Sequence, residues 1–173
     1  IFCLHLFSPN FYDFKRIESL YKTDYKRISK PADICQAIDR AKSNGNAIGL
    51  LIIRGHGNPE SIDLNSTRQL GIGDLPAGCL RNLASKPVIV LDSCSTAGDR
   101  GDEINLADYV ALNAPADATL FAAKAPMNHF KITNENPFEV KFKRSLFDYV
   151  LDALSGNPEN ITEKIGPFNR TSR

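Results

Sequence analysis

The stretch Leu50-Leu-Ile-Ile-Arg-Gly-His-Gly57 decides the fold class, because a continuous apolar run ends three residues before a histidine that lies between two glycines. A second stretch, Val88-Ile-Val-Leu-Asp-Ser-Cys-Ser-Thr-Ala-Gly98, has Cys94 just past a similar apolar run. Short, continuous apolar runs predict strands that are buried on both faces, as in a parallel sheet. Open α/β sheets form their active sites at the carboxyl ends of such strands. We therefore expect His56 and Cys94 to lie at one edge of a sheet.

Further strand patterns occur on both sides of these two stretches. They cover residues 1–7, 25–28, 118–123 and 139–143, and a hairpin with a polar turn is predicted between 61–64 and 69–72. Residues 124–137 contain Pro126 and Pro137 and are expected to form a loop.

Helical patterns alternate with the strands. Apolar residues at helical spacing follow Pro31, Asp74 and Asp102, which suit helix N-termini, and they recur over Leu146–Leu154. The stretch 11–22 reads as a weak helix or irregular segment. The alternation predicts one α/β domain over residues 1–156, a three-layer sandwich around a mostly parallel sheet, followed by a polar C-terminal tail over 157–173.

Composition excludes several classes of function. The chain has 173 residues, 42% of them hydrophobic, and a net charge of +1, so nothing in it favours binding to nucleic acid or membranes. The four cysteines have no CxxC spacing and no paired histidine ligands, which predicts no metal site and no cofactor. Nothing in the sequence demands a disulfide, Cys3 and Cys35 are expected to be small buried apolar residues, and this favours a reducing compartment.

The chemistry of the two stretches predicts a cysteine hydrolase. A cysteine needs a nearby base to act as a nucleophile at neutral pH, and His56 supplies one. The glycines beside His56 let the backbone approach a ligand, so an N–H there and the N–H of Cys94 can hold an oxyanion. Asp92 lies two residues before Cys94, so strand alternation places both on the same side, where a carboxylate suits a cationic substrate.

Ile52-Ile-Arg-Gly-His-Gly57 and Leu91-Asp-Ser-Cys94 together resemble the caspase-like superfamily of cysteine peptidases, nearest to its metacaspase and clostripain members. The resemblance implies a caspase-like sandwich and a Cys94–His56 dyad that cleaves peptide bonds. It implies oxyanion donors at the backbones of Gly57 and Cys94. It also implies that Asp92 binds Arg or Lys at P1, the substrate residue before the cleaved bond.

The same resemblance suggests where a peptide substrate would bind. In these enzymes the segment after the strand 118–123 borders the peptide groove, so Met127 and Phe130 are candidates to contact residues upstream of P1. The alternative for both is that they cap the core. Asp13 is a candidate for a second acidic wall of the P1 pocket. The expected partner is a peptide or protein substrate, and the sequence leaves further domains or a homodimer open.

Two other functions are open at this point. Cys94-Ser-Thr-Ala-Gly-Asp-Arg100 resembles the Cys-x5-Arg loop of cysteine phosphatases and rhodaneses, in which backbone N–H groups and the arginine hold an oxyanion. Asp92 and Asp99 oppose an anionic ligand there, and this hypothesis leaves the Gly-His-Gly stretch unexplained. The third possibility is an inactive caspase-like interaction module, although the chain keeps both His56 and Cys94.

Overall fold

The computed structural model describes residues 2–7, 21–144 and 160–167. The described residues form helices α1 (Pro31–Ser43) and α2 (Leu106–Asn113) and ten strands: β1 (Phe2–Phe7), β2 (Lys22–Arg27), β3 (Ile48–Arg54), β4 (Ser61–Asp63), β5 (Gln69–Gly71), β6 (Val88–Asp92), β7 (Thr119–Ala123), β8 (His129–Glu135), β9 (Phe138–Lys143) and β10 (Thr162–Ile165). Asp13, most of the stretch 11–22 and the predicted helix Leu146–Leu154 lie outside the described residues.

Six of these strands form the central sheet, in the order β10-β7-β6-β3-β1-β2. The pairs β1–β2, β1–β3, β3–β6 and β6–β7 are all parallel, and only the edge pair β10–β7 is antiparallel. This confirms the predicted α/β class with a mostly parallel sheet. The carboxyl ends of the central strands β3 and β6 therefore lie side by side at the carboxyl end of the sheet.

Strand alternation divides the core into two clusters, one on each face of the sheet. In β3, Leu51 and Ile53 pack on the first face with apolar residues of both helices. Leu50 and Ile52 pack on the second face with Phe121 and the β8–β9 hairpin. The described residues thus form three layers, namely helices, sheet and hairpin, which agrees with the predicted sandwich.

Helix α1 begins where the sequence predicted it to begin. Pro31 occupies the first turn, and the Asp33 carboxylate accepts hydrogen bonds from the N–H groups of Ser29 and Lys30. The pKa of Asp33 is lowered because these hydrogen bonds favour its charged form more than burial disfavours it. In the described part of the chain, no helix is long and apolar enough to cross a lipid bilayer.

Two predicted helix caps are wrong. Helix α2 is capped by Asn105, whose side chain accepts the N–H of Asp108, rather than by Asp102. Asp74 accepts the N–H of Gly71 and so closes a turn, and only a 3₁₀ turn over Cys79–Asn82 follows it. In each case a side-chain oxygen accepts the N–H of a residue three positions away. Short polar side chains form such local hydrogen bonds in turns as readily as at helix ends.

The prediction of a loop over 124–137 is wrong for its second half. His129–Glu135 is strand β8, which pairs with β9 in an antiparallel hairpin outside the central sheet. The prolines lie before and after β8, so they bound the strand without interrupting it. Consequently the predicted edge strand 139–143 exists but pairs in this hairpin.

The structure also differs from the expected tail beyond residue 156. Thr162–Ile165 forms β10, which pairs with β7 at the edge of the central sheet. Ile161 is buried in the second-face cluster, and the Ile161 carbonyl accepts the N–H of Lys124. The domain therefore extends at least to this strand, because one buried isoleucine and a ladder of backbone bonds anchor an otherwise polar segment.

The prediction that Cys35 is simply a small buried apolar residue is wrong. Cys35 of α1 and Cys79 of the 3₁₀ turn form a disulfide, with a sequence separation of 44 residues. The closed loop contains all of β3, His56 and the β4–β5 hairpin. The bond therefore restricts the unfolded chain around this segment, and the argument for a reducing compartment no longer holds.

The second face of the sheet contains a buried histidine. His5 of β1 is fully buried, and its ring lies 5.3 Å from that of Tyr25 on β2. Burial, with a smaller contribution from the positive charge of Arg54, lowers the pKa of His5 to about 3. His5 is therefore neutral in the folded protein throughout the physiological range.

The buried histidine predicts a specific loss of stability in acid. In the unfolded chain the imidazole binds a proton below about pH 6.5, whereas in the folded protein it remains neutral down to about pH 3, so stability falls as pH falls between these values. Relative to His5→Phe, the natural protein should lose about 3 kcal/mol of unfolding free energy between pH 6.5 and pH 4. Urea unfolding across that range measures the difference.

A second apolar variant, His5→Leu, separates titration from packing. It should show the same change with pH as His5→Phe, whatever its absolute stability, because neither side chain titrates. Parallel stability curves for the natural protein and both variants would contradict a neutral, buried His5.

Candidate active site

The parallel register of β3 and β6 brings the two predicted reactive residues to the same edge. The register ends with Arg54 opposite Asp92. His56 and Cys94 each follow two residues later, so they leave neighbouring strands at equivalent positions. Neighbouring strands lie about 4.8 Å apart. The structure therefore brings together the two segments that the sequence analysis selected.

Gly57 makes the contact between the two segments. A Cβ atom at this position would lie 2.1 Å from Ser93 Oγ and 3.2 Å from the carbonyl oxygen of Cys94. The first distance is too short for any Cβ atom and the second is tight, so glycine lets the backbone after His56 pack on the Ser93 side chain and the Cys94 carbonyl. The histidine-bearing and thiol-bearing loops are in direct contact.

The β4–β5 hairpin fixes the loop that carries His56. The His56 carbonyl accepts the N–H of Asp63 at 2.7 Å, and the N–H of Asn58 donates to the Ser61 carbonyl at 3.0 Å. These bonds flank Gly57, which faces Ile62 as a non-hydrogen-bonded antiparallel pair. In such a pair the backbone N–H points away from the partner strand. The Gly57 N–H is therefore directed away from the hairpin.

The thiol of Cys94 lies against the segment that leaves β7. Cys94 is half-buried, and its Sγ lies 3.4 Å from the N–H nitrogen of Met127 and 3.3 Å from the Met127 carbonyl oxygen. The N–H of Ser95 donates to the Ala125 carbonyl at 3.2 Å. Met127 thus belongs to the site through its backbone.

The backbone turns sharply after the thiol. Ser95 has a φ of 56°, a left-handed conformation that is uncommon for residues other than glycine. The N–H of Gly98 donates to the Ser95 carbonyl at 2.7 Å and closes the turn. Strained residues of this kind cluster at functional sites, where the surrounding structure holds them. The turn exposes Cys94 at the end of β6, while His56 is exposed on the neighbouring loop.

Asp92 has a different environment from the expected P1 pocket. Its Oδ2 lies 3.2 Å from Arg54 Nε, and its side chain is only 4% exposed. Burial raises the pKa of Asp92 to about 6, and the Arg54 guanidinium opposes this increase. The carboxylate is thus already paired within the chain. Sequence reasoning missed Arg54, although Arg54 precedes His56 by the same two residues that separate Asp92 from Cys94.

Phe130 lies in the core of the hairpin layer. It belongs to β8, and its ring lies 6.0 Å from that of Phe142 on β9. The surroundings are those of the second-face cluster, which favours the core-capping alternative for this residue. Asp13, the remaining candidate, lies outside the described residues.

The Cys-x5-Arg loop does not form a phosphate cradle. Arg100 donates to Glu60 at 3.0 Å and to the Ile104 carbonyl at 2.6 Å, and it also pairs with Glu103. It lines a cleft of about 530 Å³ that also contains Asp99. Helix α2 begins only at Leu106, so no helix N-terminus follows the cysteine loop directly. Carboxylates around the arginine make this cleft unsuitable for a phosphate dianion.

Comparison of the chain with protein-family models and with curated proteins finds no match. The geometry of the site therefore carries the functional argument. That geometry includes a half-buried thiol on a strained turn and an exposed imidazole on the adjoining loop. It also includes a glycine N–H between them that is directed away from its hairpin partner.

The contact at Gly57 can be tested by adding one methyl group. Gly57→Ala should reduce the unfolding free energy by about 1–3 kcal/mol, because its Cβ meets Ser93 Oγ and the backbone on both sides. Thermal and urea unfolding measure the loss. Gly71→Ala is the matched control with a milder contact, since its added Cβ would lie 3.1 Å from the Asp74 carboxylate oxygen that accepts the Gly71 N–H.

A second substitution checks the assigned cause. Adding Ser93→Ala to Gly57→Ala removes the shortest contact and should restore part of the lost stability. Equal stability of Gly57→Ala and Gly71→Ala would contradict direct packing of the two loops.

Proposed function

We propose that the protein is a cysteine peptidase in which Cys94 is the nucleophile and His56 is the general acid and base. The observation that carries the proposal is the packing of Gly57 on Ser93 and Cys94, which leaves no room for a side chain between the two loops. A thiol and an imidazole on adjoining loops at the carboxyl edge of a parallel sheet are the groups that acyl transfer needs.

The reaction follows from these groups. The Cys94 thiol loses its proton to His56, and the thiolate sulfur attacks the peptide carbonyl to form a tetrahedral oxyanion. The N–H groups of Gly57 and Cys94 stabilise that oxyanion. His56 then protonates the leaving amine, and the C–N bond breaks. Water, deprotonated by His56, hydrolyses the thioester, which releases the carboxylic acid and regenerates the thiol.

A peptide bond is supported as the target by two features. The sequences around His56 and Cys94 resemble those of caspase-like peptidases. In addition, the backbone of 125–127 runs beside the thiol through its bonds to Ser95 and Cys94, so a main-chain segment borders the nucleophile.

Other functions receive less support. A phosphatase needs an arginine that faces the thiolate loop, whereas Arg100 is held by carboxylates and a carbonyl. The predicted cleavage after Arg or Lys depended on Asp92, and its carboxylate is paired with Arg54. An interaction module without activity remains the alternative that the experiment below excludes.

The assigned pair predicts the behaviour of two variants. Cys94→Ala and His56→Ala should each lower peptide cleavage by at least about 1000-fold, because covalent attack and proton transfer both depend on this pair. His129→Ala, at the start of β8, is the matched histidine control and should retain activity. The assay uses a mixture of fluorogenic peptides, with melting curves to show that each variant is folded. Full activity in Cys94→Ala would refute the proposal.

Chemical labelling gives an independent readout for the nucleophile. The free thiols among the described residues are Cys3 and Cys94, and Cys3 is fully buried with a pKa that burial raises to about 12. Iodoacetamide should therefore modify Cys94 first. Earlier modification of Cys3, read by peptide mass spectrometry, would contradict the assignment.

A further inference from the structure

We propose that Arg54 determines specificity in this site by occupying the cation-binding position on Asp92, so that a basic side chain is excluded from the P1 position and an uncharged one is preferred. This inference rests on the proposed peptidase function. It assigns a role in specificity to Arg54, which is neither part of the Cys94–His56 dyad nor an oxyanion donor.

The position of the pair relative to the dyad is set by the sheet. Arg54 and Asp92 are direct neighbours across β3 and β6, with 3.2 Å between Nε and Oδ2. Both side chains lie on the second face of the sheet, because they alternate with first-face residues of β3 and β6. The Cys94 thiol contacts the Met127 backbone, and the Met127 side chain packs against the second-face cluster, so the ion pair and the thiol are on the same side of the sheet.

The two members of the pair differ in exposure. The Asp92 side chain is 4% exposed and the Arg54 side chain is 17% exposed, so the guanidinium is the outer member. A substrate side chain that approaches the base of the site meets a cation before it meets the carboxylate. A second cation is repelled there, because charge interactions are strong where water is largely excluded.

Displacement of Arg54 by a substrate cation is also unfavourable. The incoming cation would have to leave water, and Arg54 would lose its carboxylate while still partly buried. An uncharged substrate side chain has no charge to be repelled by Arg54, and it leaves the Arg54–Asp92 ion pair intact. The buried carboxylate would bind a new cation only if the arginine were removed.

The first experiment measures this occupancy without catalysis. The probe is agmatine, a small guanidinium compound, and the full chain carries Cys94→Ala to prevent turnover. We expect agmatine to raise the melting temperature of Cys94→Ala/Arg54→Ala by about 5 °C or more at saturation, because it refills the vacated position. It should not stabilise Cys94→Ala alone or the triple variant that adds Asp92→Asn.

A matched arginine control excludes a general effect of lost positive charge. Arg68 is exposed in the turn between β4 and β5, so Cys94→Ala/Arg68→Ala should show no agmatine response. Equal responses in all variants, or no response in a folded Arg54→Ala variant, would overturn the proposal. If Arg54→Ala folds only when agmatine is present, that recovery supports the proposal. Failure to recover, while Arg54→Ala/Asp92→Asn folds, overturns it.

The second experiment measures specificity in the active chain. We compare peptides that differ only in Arg or Leu at P1 and take the ratio of their kcat/KM values. Arg54→Ala should shift this ratio toward Arg by about 100-fold relative to the natural protein. An unchanged ratio in active enzymes overturns the role of Arg54 alone. Absence of any cleavage by the natural protein refutes the peptidase function on which the proposal rests.

Discussion

The parallel pairing of β3 and β6, together with the packing of Gly57 on the Ser93 side chain and the Cys94 carbonyl, is the constraint on which the rest of the site depends. A shift of register by one residue would turn Leu51 and Ile53 away from the helices, so the core itself holds the strands in place. The same register places Arg54 opposite Asp92, and it determines where the chain leaves each strand. Core packing and site geometry are therefore properties of one strand pair.

The electrostatics of the site follow from burial at this edge. Removal of water raises the pKa of Asp92 and lowers that of His5, although one is an acid and the other a base, because burial disfavours the charged form of each. Arg54 acts on both groups, opposing the first shift and adding to the second. The second face of the sheet thus contains a neutral histidine and a tightly held ion pair beneath a more exposed thiol and imidazole.

The sequence predicted those parts of the fold whose signals are local and continuous. The apolar runs identified β3 and β6, the proline and apolar spacing identified α1, and the glycine-flanked histidine identified the loop that contacts the cysteine. Features formed by residues distant in sequence were missed. The Cys35–Cys79 bond joins a helix to a turn, and β10 depends on pairing with β7. Neither has a signal in its own segment.

Three misses at or beside the site have the same origin. The Arg54–Asp92 pair appears only when the two strands are aligned as neighbours, and β8 is recognisable only through its partner β9. Met127 was predicted to belong to the site through its side chain, and what the sequence missed is the contact of its backbone with the thiol. Composition and spacing therefore predicted which segments meet at the candidate site, whereas the partners of each group required the tertiary structure.

The central claim, that Cys94 and His56 belong to one site, is tested most directly by cross-linking the two side chains. Dibromoacetone carries a reactive carbon at each end of a short ketone, so a cysteine sulfur and a nearby imidazole nitrogen can each displace one bromide. We predict a single intramolecular cross-link between the peptides that contain Cys94 and His56, identified by mass spectrometry and absent from His56→Ala. Modification of Cys94 at one end only, with no link to His56, would contradict the account.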